Sequence, residues 1–336
     1  GTAIKIQANL TSAPNNVNGQ RDSLYLNNVR IVQEGSGYWT TGLHVLNMGG
    51  VHFEGLTIDN NISAAQSNTA TTGVFLENND TRVNMIRTFI GTDLYILRTY
   101  YSIKATSPSI ARQIESIYIN NAELVGIGNA AFNVLGGTAR AVSWDSIHID
   151  TTNKAIDTEG AYFAVARFSN CDFRRGTNGG AASTGPFIII DCGEGVQFVN
   201  SDFRGGNNVT SNVNNLCFKF TNTGPLSAYT GRFISSSNVF VNFYRVYART
   251  FGVSKGVTVG NSYNYIEDVV FDDQPEDTSL VEFDSIISKS VIVPLTASGT
   301  FTVTVPTDVN YYSDPYVIAF LQQASGSGTD VLNLYY

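Results

Sequence analysis

Charged side chains make up only 14% of the 336 residues, and the chain holds just three cysteines, three histidines, two methionines and eight prolines. Each shortage excludes something. Cys171, Cys192 and Cys217 form no Cys-x-x-Cys pair, and an odd number cannot close into a disulfide framework, so buried free thiols are expected. His44, His52 and His148 lack the spacing of a zinc site, and neither a metal nor another cofactor is expected. No apolar run approaches the roughly 20 residues of a membrane helix, and no signal peptide opens the chain, so membrane insertion is not expected. With 20 basic against 28 acidic residues the net charge is -8, which disfavours nucleic acid as a partner. A nucleophile elbow of the Gly-x-Ser-x-Gly type is also absent. Gly126-Ile127-Gly128-Asn129-Ala130-Ala131 imitates a dinucleotide fingerprint, but Phe132 to Val134 read as a strand where that motif needs a helix. The chain opens on Gly1 rather than Met, as expected of an excised fragment.

What remains is a turn-rich, β-branched chain, poor in helix formers. A short unit recurs along it: an apolar residue, any residue, a small or polar one, then apolar side chains three and five positions on. It reads as Leu26-Asn27-Asn28-Val29-Arg30-Ile31, Phe53-Glu54-Gly55-Leu56-Thr57-Ile58, Met85-Ile86-Arg87-Thr88-Phe89-Ile90 and Ile114-Glu115-Ser116-Ile117-Tyr118-Ile119. It continues as Trp144-Asp145-Ser146-Ile147-His148-Ile149, Phe168-Ser169-Asn170-Cys171-Asp172-Phe173 and Phe198-Val199-Asn200-Ser201-Asp202-Phe203, with Ile234-Ser235-Ser236-Ser237-Asn238-Val239 weaker and Ile266-Glu267-Asp268-Val269-Val270-Phe271 last. Such a repeat, about thirty residues long, is the mark of a solenoid. Asn28, Gly55, Ser116, Ser146, Asn170 and Asn200 are corner residues, of types that tolerate positive φ or bond their own backbone; Arg87 departs from this. A third strand precedes each unit, as in Thr72-Gly73-Val74-Phe75-Leu76 and Phe187-Ile188-Ile189-Ile190.

The pattern resembles the pectate-lyase-like parallel β-helix family, especially phage tailspikes and polysaccharide depolymerases, over about residues 23 to 288. The fold expected is all-β: a lead-in over 1–22, a right-handed single-stranded parallel β-helix over 23–288, and a small antiparallel β region over 289–336. The last follows from the period-two alternation of Thr300-Phe301-Thr302-Val303-Thr304-Val305 and the turn residues after it. The resemblance implies a homotrimer held by that C-terminal region, placed extracellularly on a virion tail. It also implies attachment to the tail or baseplate through a preceding N-terminal segment, and a bacterial surface polysaccharide, O-antigen or capsule, as ligand.

Inward side chains fill a solenoid, so chemistry must sit on outward strand positions or in corner loops. Two loops stand out, 174–185 and 204–215, both opening on arginine and rich in glycine and asparagine. Asp157 and Glu159 on one rung and Asp191 and Glu194 on the next are the first choice for a catalytic set. If Ile156 and Ile190 are equivalent, Asp157 and Asp191 stand about 4.8 Å apart at the backbone, and glycoside hydrolysis needs two carboxyl groups at such spacings. Crowding would keep one protonated as acid while the other activates water. The second choice is Asp172 and Asp202, which share an outward position with His148 on three rungs; Asp150, Arg174 and Arg204 stack two positions on. Ion pairing across strands accounts for that ladder equally well. Arg174, Arg175, Arg204, His148 and Tyr162 are the expected substrate-binding residues, with Tyr38, Trp39, Tyr100 and Tyr101 as further aromatic candidates. The leading expectation is an endo-glycosidic hydrolase. A non-catalytic receptor-binding fibre or adhesin, and a lyase using His148 as base with Arg174 or Arg204 as charge neutraliser, stand beside it.

Overall fold

A computed structural model describes residues 1–7, 17–18, 24–60, 65, 68–79, 83–107, 113–158, 161–176, 185–206, 214–221, 232–249, 258–262, 264–275, 280–282, 300–304 and 331–335. Among these, strands follow one another almost without interruption, and no helix is long and apolar enough to cross a membrane. Among the described residues every strand pairing is parallel, most of them between successive coils, so the chain is a parallel β-solenoid.

Three ladders run along it. The leading sheet stacks Thr2–Gln7, Thr41–Leu46, Thr72–Glu77, Tyr101–Thr106, Ala130–Leu135, Lys154–Asp157, the start of Ile188–Val199, Leu216–Thr221 and the end of Val239–Arg249. The middle sheet runs from Leu24–Asn27 through the first part of Val51–Asp59 to Tyr162–Ser169, Arg232–Ser236 and Thr258–Ser262. The trailing sheet runs from Arg30–Val32 through the end of Thr138–Thr151 to Asp172–Arg175, Asp202–Arg204, the start of Val239–Arg249 and Tyr265–Pro275.

The corner between the middle and trailing sheets is a column of positive φ: Asn28 (51°), Gly55 (69°), Asp93 (54°), Asn121 (53°), Ser146 (57°), Asn170 (55°), Asn200 (51°) and Ser237 (56°). Asparagine and aspartate suit that region because their short polar side chains bond locally, and here they also bond along the column. Asn200 donates to Asn170 at 2.6 Å, and Asp145 accepts from Asn170 at 2.8 Å and Ser169 at 2.6 Å. Just past the corner an inward polar ladder satisfies backbone donors. The Cys171 N–H reaches Ser201 Oγ (3.1 Å), the Ser201 N–H reaches Asn238 Oδ1 (2.9 Å), and the Asn238 N–H reaches Asn264 Oδ1 (2.9 Å).

The observed register corrects several expectations. Phe53 lies opposite Gly91, Gly91 opposite Ile119, and Ile119 opposite Trp144. The true third and fourth units are therefore Gly91-Thr92-Asp93-Leu94-Tyr95-Ile96 and Ile119-Asn120-Asn121-Ala122-Glu123-Leu124, not those starting at Met85 and Ile114. The cause is a second corner column at Thr88 (φ 66°), Ser116 (59°) and Ala141 (53°), flanked by the same apolar alternation. That also accounts for Arg87, which is no corner residue. The unit near 234 slips by one residue, since Phe198 faces Ser235, and Ile266 faces Phe240 rather than the unit start. The solenoid begins before residue 23, because Thr2–Gln7 already pairs with Thr41–Leu46. At the other end, Leu280–Glu282, Thr300–Thr304 and Val331–Tyr335 pair in parallel, not antiparallel. Their long connections permit the crossovers that parallel pairing requires, and period-two alternation does not distinguish the two pairings.

The core is one continuous cluster of inward side chains. Its aromatic residues stack from rung to rung: Phe168 on Phe198 (4.6 Å between centroids, 11° between planes), Phe173 on Phe203 (4.8 Å, 3°) and Phe203 on Phe240 (5.0 Å, 17°). Cys171 and Cys217 are free and buried, and burial pushes the Cys171 thiol up to about 12.

Candidate functional site

On the trailing sheet the corner sets the phase of the strand that leaves it. Ile147 and Ile149, then Phe173 and then Phe203 turn into the core, so His148 and Asp150, Asp172 and Arg174, and Asp202 and Arg204 face out on three successive rungs. The register is the expected one: His148 opposite Asp172 opposite Asp202, and Asp150 opposite Arg174 opposite Arg204. Glu123, exposed, continues the first row beyond His148.

The side chains interlock. His148 Nδ1 lies 3.0 Å from Asp172 Oδ2. Arg174 forks onto the same carboxylate, Nε donating to Oδ1 at 3.0 Å and Nη2 lying 2.7 Å from Oδ2. Arg204 stands 3.5 Å from Asp202. The two arginine side chains remain 49% and 51% exposed, so each keeps donors turned to solvent beyond its own aspartate.

Electrostatically, the two carboxylates nearest His148 diverge. Burial raises Asp150 above the ordinary carboxylate range, against smaller opposing effects of His148, Arg174 and the Gly176 backbone. Burial acts in the same direction on Asp172, but there the hydrogen bonds from His148 and Arg174 outweigh it and hold the group below that range. His148 is raised, first by its hydrogen bond to Asp172 and against the effect of burial.

These shifts set a pH window. A raised histidine contributes stability in full below its unfolded value, about 6.5, and loses it as pH climbs through the folded value; a lowered aspartate contributes above about 3.9 and loses it as pH falls. The His148–Asp172 pair therefore stabilises the flank most between about pH 4 and 6.5. His148→Ala is expected to flatten the stability-against-pH curve on the alkaline side of that window, read from denaturant midpoints. An unchanged curve would show that the pair contributes nothing.

The first-choice carboxylates are arranged differently from the expectation. Ile156 faces Ile188 and Asp157 faces Ile189, so the assumed equivalence of Ile156 and Ile190 fails by two residues, and Asp157 is not opposite Asp191. Asp191 pairs instead with Thr221 on the next rung, and its N–H donates to Thr158 Oγ1 at 2.8 Å. Both aspartates are buried, at 7% and 5% exposure, and Asp157 is ion-paired to Lys154 at 2.6 Å. Glu159 and the loop segments 177–184 and 207–213 lie outside the described residues, as do the side chains of Glu194 and Tyr162.

Arg175 also departs from expectation. The strand alternation turns it inward, to 3% exposure, where it donates to Asn153 O, Asn215 Oδ1 and Gly185 O and lies over the Phe187 ring at 4.8 Å. It braces the corner rather than facing the flank, and burial lowers it to about 10. Trp39 packs against the core, and Tyr100 meets Tyr101 edge to face. Asp150 is the residue that sequence reasoning placed in the ladder but left out of the catalytic set. The signal for it was Gly176, which sits just beyond Arg174 on the adjacent rung and leaves room for a carboxyl group.

Among the described residues, no three or more histidine, cysteine, aspartate or glutamate side chains are grouped to hold a metal ion. No protein-family model, curated protein or solved structure matches this chain.

Proposed function

We propose that this chain is a tailspike-type depolymerase, a right-handed β-helix that binds a bacterial surface polysaccharide along its trailing flank and cuts it by endo-glycosidic hydrolysis. The observation that carries the reading is the outward placement of Asp150, Asp172 and Arg174 on adjacent rungs beside His148, where burial raises Asp150 while hydrogen bonds from His148 and Arg174 hold Asp172 low. Environments that push paired acids apart are how one fold keeps a proton donor and an ionised partner at the same pH. Asp150 is then the general acid, protonating the leaving glycosidic oxygen, and Asp172 is the base that activates water, held ionised by His148 and Arg174. One rung and two residues separate them, about 8 Å between α-carbons from the strand spacing and rise. Acids on neighbouring rungs and two residues apart, rather than directly opposite, favour an inverting pair, whose two carboxyl groups must leave room for the water. Arg174 and Arg204 supply fixed hydrogen-bond donors to the sugar chain.

The open edges of such a solenoid favour a homotrimer, with residues after about 289 contributing to its contacts. The same reading puts the protein outside the cell on a virion tail, attached through a segment preceding Gly1. Incubation with purified O-antigens and capsules tests the function. New reducing ends of inverted anomeric configuration are expected. Binding without shortening would replace the hydrolase with a receptor-binding fibre, and absorbance from an unsaturated uronate would replace it with a lyase.

A further inference from the structure

Gly176 ends the strand Asp172–Arg175 on the rung above Asp150, its N–H bonded to Thr151 O at 2.9 Å. Its φ lies outside the left-handed region, where only Gly35, Gly50, Gly55, Gly126, Gly136, Gly137 and Gly206 are found among the described glycines. The backbone conformation therefore does not demand glycine there. Space does: a β-carbon at 176 would lie 1.9 Å from Asp150 Oδ1, 2.8 Å from its Cγ and 3.1 Å from Oδ2, and no other heavy atom is as near. The Asp150 carboxyl occupies the position that any other residue's side chain would take.

We infer that Gly176 is the positioning residue for Asp150, leaving the pocket in which that carboxyl lies against the backbone and keeping it in the flank beside Asp172 and Arg174. The inference rests on the proposed role of Asp150 as proton donor. The obstructing atoms are the far end of a short, rotatable side chain, so Gly176→Ala leaves the coil intact and swings Asp150 outward into water. A purely structural glycine would do the reverse, costing the fold and leaving the Asp150 environment unchanged wherever the protein folds.

The experiment is Gly176→Ala in the full chain, with the Asp150 carboxyl titration followed by carbon-13 NMR alongside the pH profile of polysaccharide cleavage. In the variant, the Asp150 titration is expected to fall towards the ordinary value of about 3.9, with an unchanged unfolding midpoint. The alkaline limb of the profile is expected to move down with it. Turnover should drop by about 10² with little change in KM, as a misplaced reacting group costs, and adding Asp150→Asn should remove the alkaline limb that remains. An Asp150 titration that stays where it is in folded Gly176→Ala overturns the inference. If Gly176→Ala fails to fold, the double variant Asp150→Ala, Gly176→Ala decides: recovery of folding shows that Asp150 is what fills the space, and continued failure shows that it is not. If the titration moves but the wild-type protein cuts no polysaccharide, the positioning stands and the hydrolase reading alone falls.

Discussion

Asp172→Asn and Asp150→Asn are each expected to lower polysaccharide turnover by about 10² to 10⁴, the range for loss of a positioned acid or base. An amide keeps the shape and most of the hydrogen-bonding reach, so oligosaccharide binding should persist in both variants and separate a chemical defect from a binding one. The two should differ in pH dependence. Losing Asp150, raised by burial, removes the alkaline limb of the profile, and losing Asp172, held low by His148 and Arg174, removes the acid limb. Asp202→Asn should be milder, because Asp202 stands farther from His148 and meets Arg204 only at 3.5 Å. Asp157→Asn and Asp191→Asn should leave the pH profile in place; any cost at Asp157 arises from breaking its partly buried contact with Lys154 and appears as lost stability. Inactive Asp157→Asn and Asp191→Asn with active Asp150→Asn and Asp172→Asn would move the site to the leading sheet.

The second large effect is expected in the core. Phe198 is fully buried, stacks on Phe168 at 4.6 Å, and meets Phe173, Phe203, Phe218 and Phe233 within 6 Å between centroids. Phe198→Ala removes a side chain shared by several rungs, and neighbours pinned by their own strand pairings cannot collapse into the void. A loss of about 3–5 kcal/mol is expected, seen as a lower denaturant midpoint at unchanged slope. Ile234→Ala, at an outward position 40% exposed, should change the same midpoint by no more than about 0.5 kcal/mol. Equal effects of the two would mean that the aromatic column does not carry the stability of these coils.

How far the site could be read before its structure was known depended on the distance from a corner. The row His148, Asp172 and Asp202 was legible because each residue comes two positions after a corner of known type, with no insertion between, and the observed register is the expected one. The pair Asp157 and Asp191 was not. The loop 174–185 intervenes, and two like residues, Ile188 and Ile190, both face inward and both offer themselves as partners of Ile156. A slip of two leaves the apolar alternation intact, so the pattern cannot detect it. The slip at Met85 and Ile114 has a related origin: two corners per coil share one local motif, and only the pairing of Phe53 with Gly91 identifies the true unit.

From the sequence alone came the architecture: a recurrence, about every thirty residues, of alternating apolar residues around a small or polar corner requires coils that bury their inner faces only against one another. It also determined which side chains point outward on uninterrupted rungs, because strand alternation is local. The tertiary structure decided the rest. It set the register across loops, the parallel pairing of the C-terminal strands, the partners that Arg175 meets inside the corner, and the opposite shifts of the Asp150 and Asp172 carboxyl groups. Those depend on which strands become neighbours and how much water they exclude, and a local pattern repeated at every corner carries no information about either.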